Sequence, residues 1–422
     1  MESTFDVIVV GAGAAGLLAS ISAAESGLRT IVLEKNRKPG AKILMSGGTR
    51  CNVTHDTDHR GIVDAFGQQG RFLKTAIGRF GPQDVIQLLA NEGVATKVES
   101  TGKVFPTSDR AVDVLQAILD RQARTEGELL TATVVRNITL DDASQHFVVH
   151  CESKYGENSF VTRNVILTTG GMSFPGCGTT GDGYAWAKHF GHQIVQPLPA
   201  LVPLKLNDEW TRDLSGITIP DAGIHVILHD KRLCETRGSL LFTHFGVSGP
   251  CVLDASRAIT TAGVDPTEFC VELDLAPAVT TSGLESTLKQ STSGKRTVGT
   301  IIAEFLPKRI VNIACANAGV QADRRLAELP RQHRIQLVQA IKAMRVAVAG
   351  TMGFKKAEVT TGGVSLDSVN PKTMSSKLQK GLYFAGEILD VDGPIGGYNF
   401  QAAFSTGWLA GKSIAKREAT IQ

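Results

Sequence analysis

The sequence predicts an α/β fold in two parts. One part is a sheet assembled from both ends of the chain, and the other is an inserted β-rich region carrying a small helical bundle. Three observations predict it. Residues 5–34 run through an apolar β-branched stretch, a glycine turn, an Ala- and Leu-rich stretch and a second apolar stretch. The middle of the chain changes from strand-like runs to a basic helical pattern. The last part returns to short apolar runs and ends in one long helical stretch.

Phe5 to Val10 is short and β-branched, so it reads as a strand. Gly11-x-Gly13-x-x-Gly16 follows at once, Ala14 to Ser26 reads as a helix, and Gly27 stops it. Arg29 to Leu33 is a second strand, closed by Glu34. In that context the glycine triplet is a dinucleotide-binding signature. Gly11 makes the turn, Gly13 lets backbone approach a pyrophosphate, and Gly16 lets helix and strand pack closely. Ala14 and Ala15 open a helix whose free N–H groups and positive dipole end face the phosphates. Glu34 stands 18 residues after Gly16 and can accept hydrogen bonds from ribose hydroxyls. Its charge disfavours a 2′-phosphate, and hence NADP. Lys35 and Val134 complete the contacts expected on this side.

Lys38 to Asp64 reads as a polar, glycine-rich loop, followed by a mixed segment to about Gly127. The runs Thr131–Leu140, His146–Cys151 and Ser159–Thr169 alternate with period two and suggest a β-meander returning to the sheet. The last of them ends in Gly170-Gly171. Asp182 to Phe190 reads as a helix. From Gln193 to Ala278 the pattern is strand-like; from Ser282 to Met344 it is helical, broken at Pro307 and Pro330. Residues 281–350 carry 11 Lys and Arg against 4 acids. Strand-like runs return at Val359–Val364 and Gly381–Gly386, and a final helix spans about Asn399 to Lys416. The expected division is 1–192 with 350–422 as one discontinuous domain, and 193–349 as an insert that is β-rich to 280 and helical beyond.

The bulk properties exclude several classes. A chain of 422 residues with net charge +3 is long enough for a large buried core. Seven scattered Cys do not form a disulfide framework and suit a reducing compartment. No apolar run is long enough for a membrane span. The first strand starts near Phe5, which leaves no room for a leader, so a cytoplasmic protein is expected. No HExxH or Cys/His cluster points to a metal, and no GxSxG or P-loop appears.

FAD and NAD both bind a first βαβ of this kind, and the C-terminal segment separates them. Gly381 to Glu387 is a short strand ending in Gly386 and an acid, Glu387, placed to meet the ribityl chain of FAD. Asp392-Gly393-Pro394-Ile395-Gly396-Gly397-Tyr398-Asn399 then opens the last helix. Its glycines let backbone approach a flat ring, and the helix N-terminus stabilises negative charge on a reduced flavin. A plain NAD dehydrogenase has no need of this second region.

Four long segments carry a resemblance to a known family. They are KILMSGGTRCNVT from Lys42, TTGGMSFPGCGTTGDGYAWAKHFGH from Thr168, LFTHFGVSGP from Leu241, and Thr360 to Ala410 with PKTMSSK and GLYFAGEILDVDGPIGGYNFQAAFSTG. The chain resembles the HI0933/YhiN-like flavoproteins, also described as aminoacetone oxidase or BaiN-like. The resemblance implies a FAD domain of the glutathione-reductase type with a β-rich insert holding a helical bundle. It also implies a FAD-dependent oxidoreductase that oxidises a small amine or reduces an enone. It makes Lys42, Ser46, Gly47, Gly48, Arg50, Cys51 and Asn52 the loop around the flavin nucleotide. It adds Thr169, Gly170 and Gly171, then Gly386 and Glu387, then Asp392, Gly396, Gly397, Tyr398 and Asn399. Thr49 departs from the family pattern, which has a third glycine there, and His55 stands where Asn is usual.

His244 and Tyr398 are the candidate catalytic residues: an imidazole facing a flavin can act as a base or bind a carboxylate, and a phenol can line the ring. Cys51 has no neighbouring thiol for dithiol chemistry, so packing is its expected role. Gly176-x-Gly178-x-x-Gly181 lacks the following acid and reads as a loop near flavin and substrate, so no second dinucleotide fold is expected. A nicotinamide can bind only transiently at the flavin face, or dioxygen can close the cycle. A small organic substrate is the leading expectation. Action on nucleic acid through the basic helical insert ranks behind it, as does a non-catalytic FAD-binding role. The purified protein is expected to be yellow with a flavin absorbance band; a colourless protein that takes up no FAD on reconstitution would overturn the assignment.

Overall fold

The opening β-branched run forms β1 (Ser3–Val10), whose Val7, Ile8 and Val9 are fully buried. α1 (Ala14–Ala24) follows, then β2 (Thr30–Leu33), which pairs with β1 in parallel. This is a computed structural model describing residues 3–289 and 296–421. Cα packing divides it into two units, Met1–Leu198 with Val359–Gln422, and Pro199–Glu358.

In the first unit, α2 (Ala41–Thr49) and α3 (His59–Ala65) lie where the sequence suggested only loop. The reason is local. α2 buries one apolar side chain, Ile43, and its helical angles break at Ser46, Gly47 and Gly48, so no helical period is long enough to read. Asp58 caps α3 by accepting from Gly61 N–H. Between α2 and α3 lies β3 (Thr54–His55). Next come α4 (Gly70–Arg79), α5 (Pro82–Asn91), β4 (Thr96–Val98), β5 (Lys103–Pro106) and α6 (Ala111–Arg124). β3, β5 and β4 make a small antiparallel sheet. β6 (Glu128–Leu130) extends the main sheet beside β2. The predicted meander is β7 (Thr133–Asp141), β8 (His146–Ser153) and β9 (Gly156–Leu167), all antiparallel. β9 runs on beside β1 in parallel, from Ser3↔Phe160 to Val10↔Leu167, so the meander enters the centre of the sheet. α7 (Asp182–His189) and β10 (Ile194–Ala200) complete this half.

The second unit is a closed barrel with appended helices. Its elements are β11 (Leu204–Leu206), α8 (Trp210–Asp213), β12 (Thr218–Leu228), β13 (Lys231–Thr243), β14 (Gly246–Ser248), α9 (Pro250–Thr260) and β15 (Phe269–Asp274). α10 (Thr281–Lys289), α11 (Val298–Ile302), α12 (Lys308–Asn317) and α13 (Arg331–Lys342) form the helical part, and β16 (Met344–Thr351) closes the barrel against β11. The strand order is β11-β14-β13-β12-β15-β16. Alternate residues point inward, as period-two strands require: Ile224 and Val226 on β12, Val271 and Leu273 on β15, Val346 and Val348 on β16. Val298, Ile302, Ile310, Ala314, Leu337 and Ile341 make the apolar interior of the helices.

The chain then returns to the first unit with β17 (Val359–Val364), which pairs with β10, and β18 (Leu382–Phe384), parallel to the end of β9. α14 (Tyr398–Ile421) lies directly on α1. A Cβ on Gly407 would stand 2.1 Å from Ala15 O, and one on Gly411 would stand 2.1 Å from Ser22 Oγ. Ser22 Oγ also donates to Trp408 O at 2.9 Å.

Thr49 holds φ 70° at the exposed end of α2, where a β-branched side chain is strained. Thr49→Gly removes about 1–2 kcal/mol of left-handed strain and costs about 0.5–1 kcal/mol in unfolded-chain freedom. A net gain of about 0.5–1 kcal/mol in denaturant unfolding is expected.

Candidate functional site

The first unit holds all the residues singled out from the sequence except His244. The first turn is that between β1 and α1. Gly11 has φ 102°, and a Cβ on it would come within 2.9 Å of Thr168 O. A Cβ on Gly16 would stand 1.9 Å from Gly11 O. Gly13, by contrast, faces open space with nothing within 4 Å of a Cβ. Ala14 and Ala15 start α1 behind it. Glu34 follows β2, almost fully buried; its carboxylate accepts from Ala12 N–H at 2.7 Å and from Asn36 N–H at 2.7 Å. Two acceptor sites remain on such a carboxylate. Thr133 N–H donates to Glu34 O, which sets Val134 beside this end of β2. Lys35 reaches Asp182 at 2.5 Å and Thr180 at 2.7 Å, so the loop of the second glycine triplet is tied to the residue after Glu34.

The second turn is Ser46–Asn52, between α2 and β3. Cys51 N–H donates to Ser46 O. The Cys51 thiol is fully buried, and burial pushes it up to about 12, opposed by a hydrogen bond with Ser46. It stays protonated near neutral pH and is a packing residue. None of the seven cysteines forms a disulfide. Asn52 accepts Val104 N–H. Gly47 packs near Asn52, and Gly48 faces open space. Arg50 is turned the other way: it pairs with Glu99 at 2.7 Å and Asp109 at 3.6 Å, and lies 3.8 Å over the Phe105 ring. Lys97 also pairs with Asp109, holding that carboxyl below its usual range.

The third group joins four segments. Lys42 Nζ donates to Ser173 Oγ at 2.7 Å and to Glu387 Oε2 at 2.7 Å. Ser173 Oγ donates to Glu387 Oε1 at 2.5 Å, and Thr360 N–H donates to the same oxygen at 3.0 Å. Thr360 Oγ1 accepts from Met172 N–H and Ser173 N–H at 2.8 and 3.0 Å. Gly171 is crowded here, since a Cβ would stand 2.3 Å from Thr360 Oγ1, and Gly170 turns with φ 72°. Thr169 Oγ1 is buried with no hydrogen-bond partner among the described residues. Gly386 N–H donates to Thr406 Oγ1 at 3.0 Å. Ser173 and Thr360 are fully buried and were missed from the sequence, although both stand inside or at the edge of quoted segments.

Near the start of α14, Asn399 brackets Gly393: its Oδ1 accepts Gly393 N–H and its Nδ2 donates to Gly393 O, both at 2.9 Å. Asp392 is buried next to them, its N–H near Gln69 Oε1 at 3.4 Å. Gly397 abuts Thr54 O. The Tyr398 ring stacks on His55 with centroids 4.6 Å apart, and His55 Nδ1 donates to Gly396 O at 3.0 Å. His244 belongs to the barrel unit, exposed on the loop after β13 with its ring edge-on to Phe245.

The chain matches the profile of the HI0933-like protein Rossmann domain over residues 5–413. It belongs to the HI0933-like family. The HI0933-like chain is 34% identical over 427 residues to the ribosomal RNA dihydrouridine synthase of Haemophilus influenzae, covering 99% of this chain and 100% of that one. It is 31% identical to the 3-dehydro-bile acid delta(4,6)-reductase of Clostridium scindens, covering 97% and 98%. Its fold is similar to a flavocytochrome c3 fumarate reductase in the open conformation, with TM-score 0.53, 19% identity, and 98% and 78% of the two chains covered. The HI0933-like protein is a FAD-dependent oxidoreductase. The geometry above fits that cofactor: a helix N-terminus left open at Gly13, a buried acid after β2 with acceptor sites to spare, and a second acid after β18.

Gly13→Ala is expected to leave apo-protein unfolding within about 0.5 kcal/mol, since its Cβ meets nothing, yet to weaken FAD binding about tenfold. Gly16→Ala is expected to lower stability itself by about 1–3 kcal/mol through the clash with Gly11 O. Denaturant unfolding without FAD and FAD titration separate the two.

Proposed function

We propose that the protein reduces a carbon–carbon double bond conjugated to a carbonyl, and that its substrate is a uracil ring in ribosomal RNA. The observation that carries this is the full-length likeness to a ribosomal RNA dihydrouridine synthase. Dihydrouridine is uridine with its C5–C6 bond saturated, and that bond is conjugated to the C4 carbonyl. The name of the bile acid reductase describes the same kind of bond in a steroid. Oxidation of a small amine has no counterpart in either name.

The N–H groups at Gly13–Ala15 would hold the pyrophosphate, and Glu34 a ribose. Lys42, Glu387 and the turn at Gly396–Asn399 would line the rest of FAD. When bound, FAD would supply hydride chemistry, with a nicotinamide as the proposed electron source. The start of α14 would offset negative charge on such a ring. Reduction would deliver hydride to C6 of uracil and a proton to C5, with Tyr398 Oη of the first unit the proposed proton donor; His244, on the barrel unit, is a separate candidate for substrate contact. Lys308, Arg309, Arg325 and Arg331 are exposed, and none has a carboxylate partner among the described residues. They would attract RNA phosphates with steep salt dependence. Cysteines without disulfides and a ribosomal RNA substrate both suit the cytoplasm. No helix among the described residues is long and apolar enough to cross a membrane.

A small free dienone is the second reading, favoured by the bile acid reductase. The test is anaerobic reduction with NADH or NADPH, followed by ribosomal RNA lacking dihydrouridine or by a steroid dienone. Flavin reoxidation and a gain of two hydrogens on a uridine, read by mass spectrometry, are expected with RNA and should fade as salt rises. Turnover of the dienone alone would transfer the assignment to the second reading; turnover of neither would defeat both.

A further inference from the structure

Glu387 was expected to spend its carboxylate on FAD, but three donors from this chain already hold it: Lys42 Nζ, Ser173 Oγ and Thr360 N. Lys42 is in turn bound to Ser173, so ammonium, hydroxyl and carboxylate close a ring. The side chains of Lys42 and Glu387 are 27% and 17% exposed, while Ser173 and Thr360 see no solvent. The charges therefore lie at the open edge of the group, and the hydroxyls lie behind them.

We propose that Thr360 and Ser173 are positioning residues that lock the Lys42–Glu387 pair in one orientation and so preset the field felt by the flavin. This rests on FAD binding at the turns described above. Thr360 Oγ1 fixes the backbone of Met172 and Ser173, and that backbone aims the Ser173 hydroxyl. An ion pair in a partly dry setting interacts strongly with neighbouring charge, so its orientation matters more than it would in water. Reduction adds negative charge to the ring. A Glu387 carboxylate released from Ser173 can turn toward that charge and oppose it. A residue that merely fills space would change stability without changing this preference.

The test compares Thr360→Val, Thr360→Ser and Ser173→Ala in the full-length holoprotein. Three quantities are read: apo unfolding midpoint, FAD affinity by titration of apoprotein, and flavin midpoint potential. Thr360→Val and Ser173→Ala are expected to weaken the preference for reduced over oxidised flavin about tenfold, which is a fall of about 30 mV for a two-electron couple. Thr360→Ser keeps the oxygen and is expected to hold the wild-type potential. If Thr360→Val does not fold, Ser173→Ala carries the test. An unchanged potential in both, or an equal fall in Thr360→Ser, overturns the proposal. Wild-type protein that takes up no FAD overturns the cofactor reading instead.

Discussion

The backbone contact between α1 and α14 is the constraint on which the first unit depends. Gly407 and Gly411 are one helical turn apart, and each would drive a Cβ into α1. Lys412 Nζ donates to Ser26 Oγ, which continues the contact to the end of α1. Gly386 joins it from β18, since a Cβ there would stand 2.8 Å from the Ala15 Cβ. The start of α1, the acid after β18 and the start of α14 are thereby fixed in one packing layer. Such close approach also explains why α1 is built from Ala, Gly and Ser on the face toward α14.

Around that layer the polar groups are held by the protein itself. Glu34 and Glu387 both follow strands, and both take backbone N–H donors, which stabilise a partly buried carboxylate. Arg50 shows the opposite outcome. It sits in the loop expected to wrap the cofactor, but two acids and an aromatic face from the β4–β5 region hold it. A cation in a loop is attracted to the best nearby partner, and here that partner is the small sheet.

Local signals were readable in the sequence and long-range pairing was not. β1, α1 and β2 carry period, punctuation and a closing acid within thirty residues, and they form where expected. The same holds for α7 and α14. The barrel strands alternate as period-two strands should, but closure depends on pairs such as Leu206↔Val348, which no local pattern specifies. Glu34 and Glu387 could be singled out because acids follow their strands. Their neighbour Ser173 could not, because its bond to Glu387 spans 214 residues, and the Thr360 bond to Met172 spans 188. α2 escaped notice because two glycines with left-handed angles interrupt it.

The split first unit has a consequence for biosynthesis. β1 and α1 emerge from the ribosome before the barrel unit, and the helix that covers α1 emerges after it. The barrel unit is contiguous, so it has all its strands once β16 has emerged. During synthesis the N-terminal βαβ must wait with its apolar α1 face uncovered while the inserted unit is made and folds. Nascent chains stalled before α14 should accordingly engage chaperones through β1 and α1, and emergence of α14 should be the event that covers them.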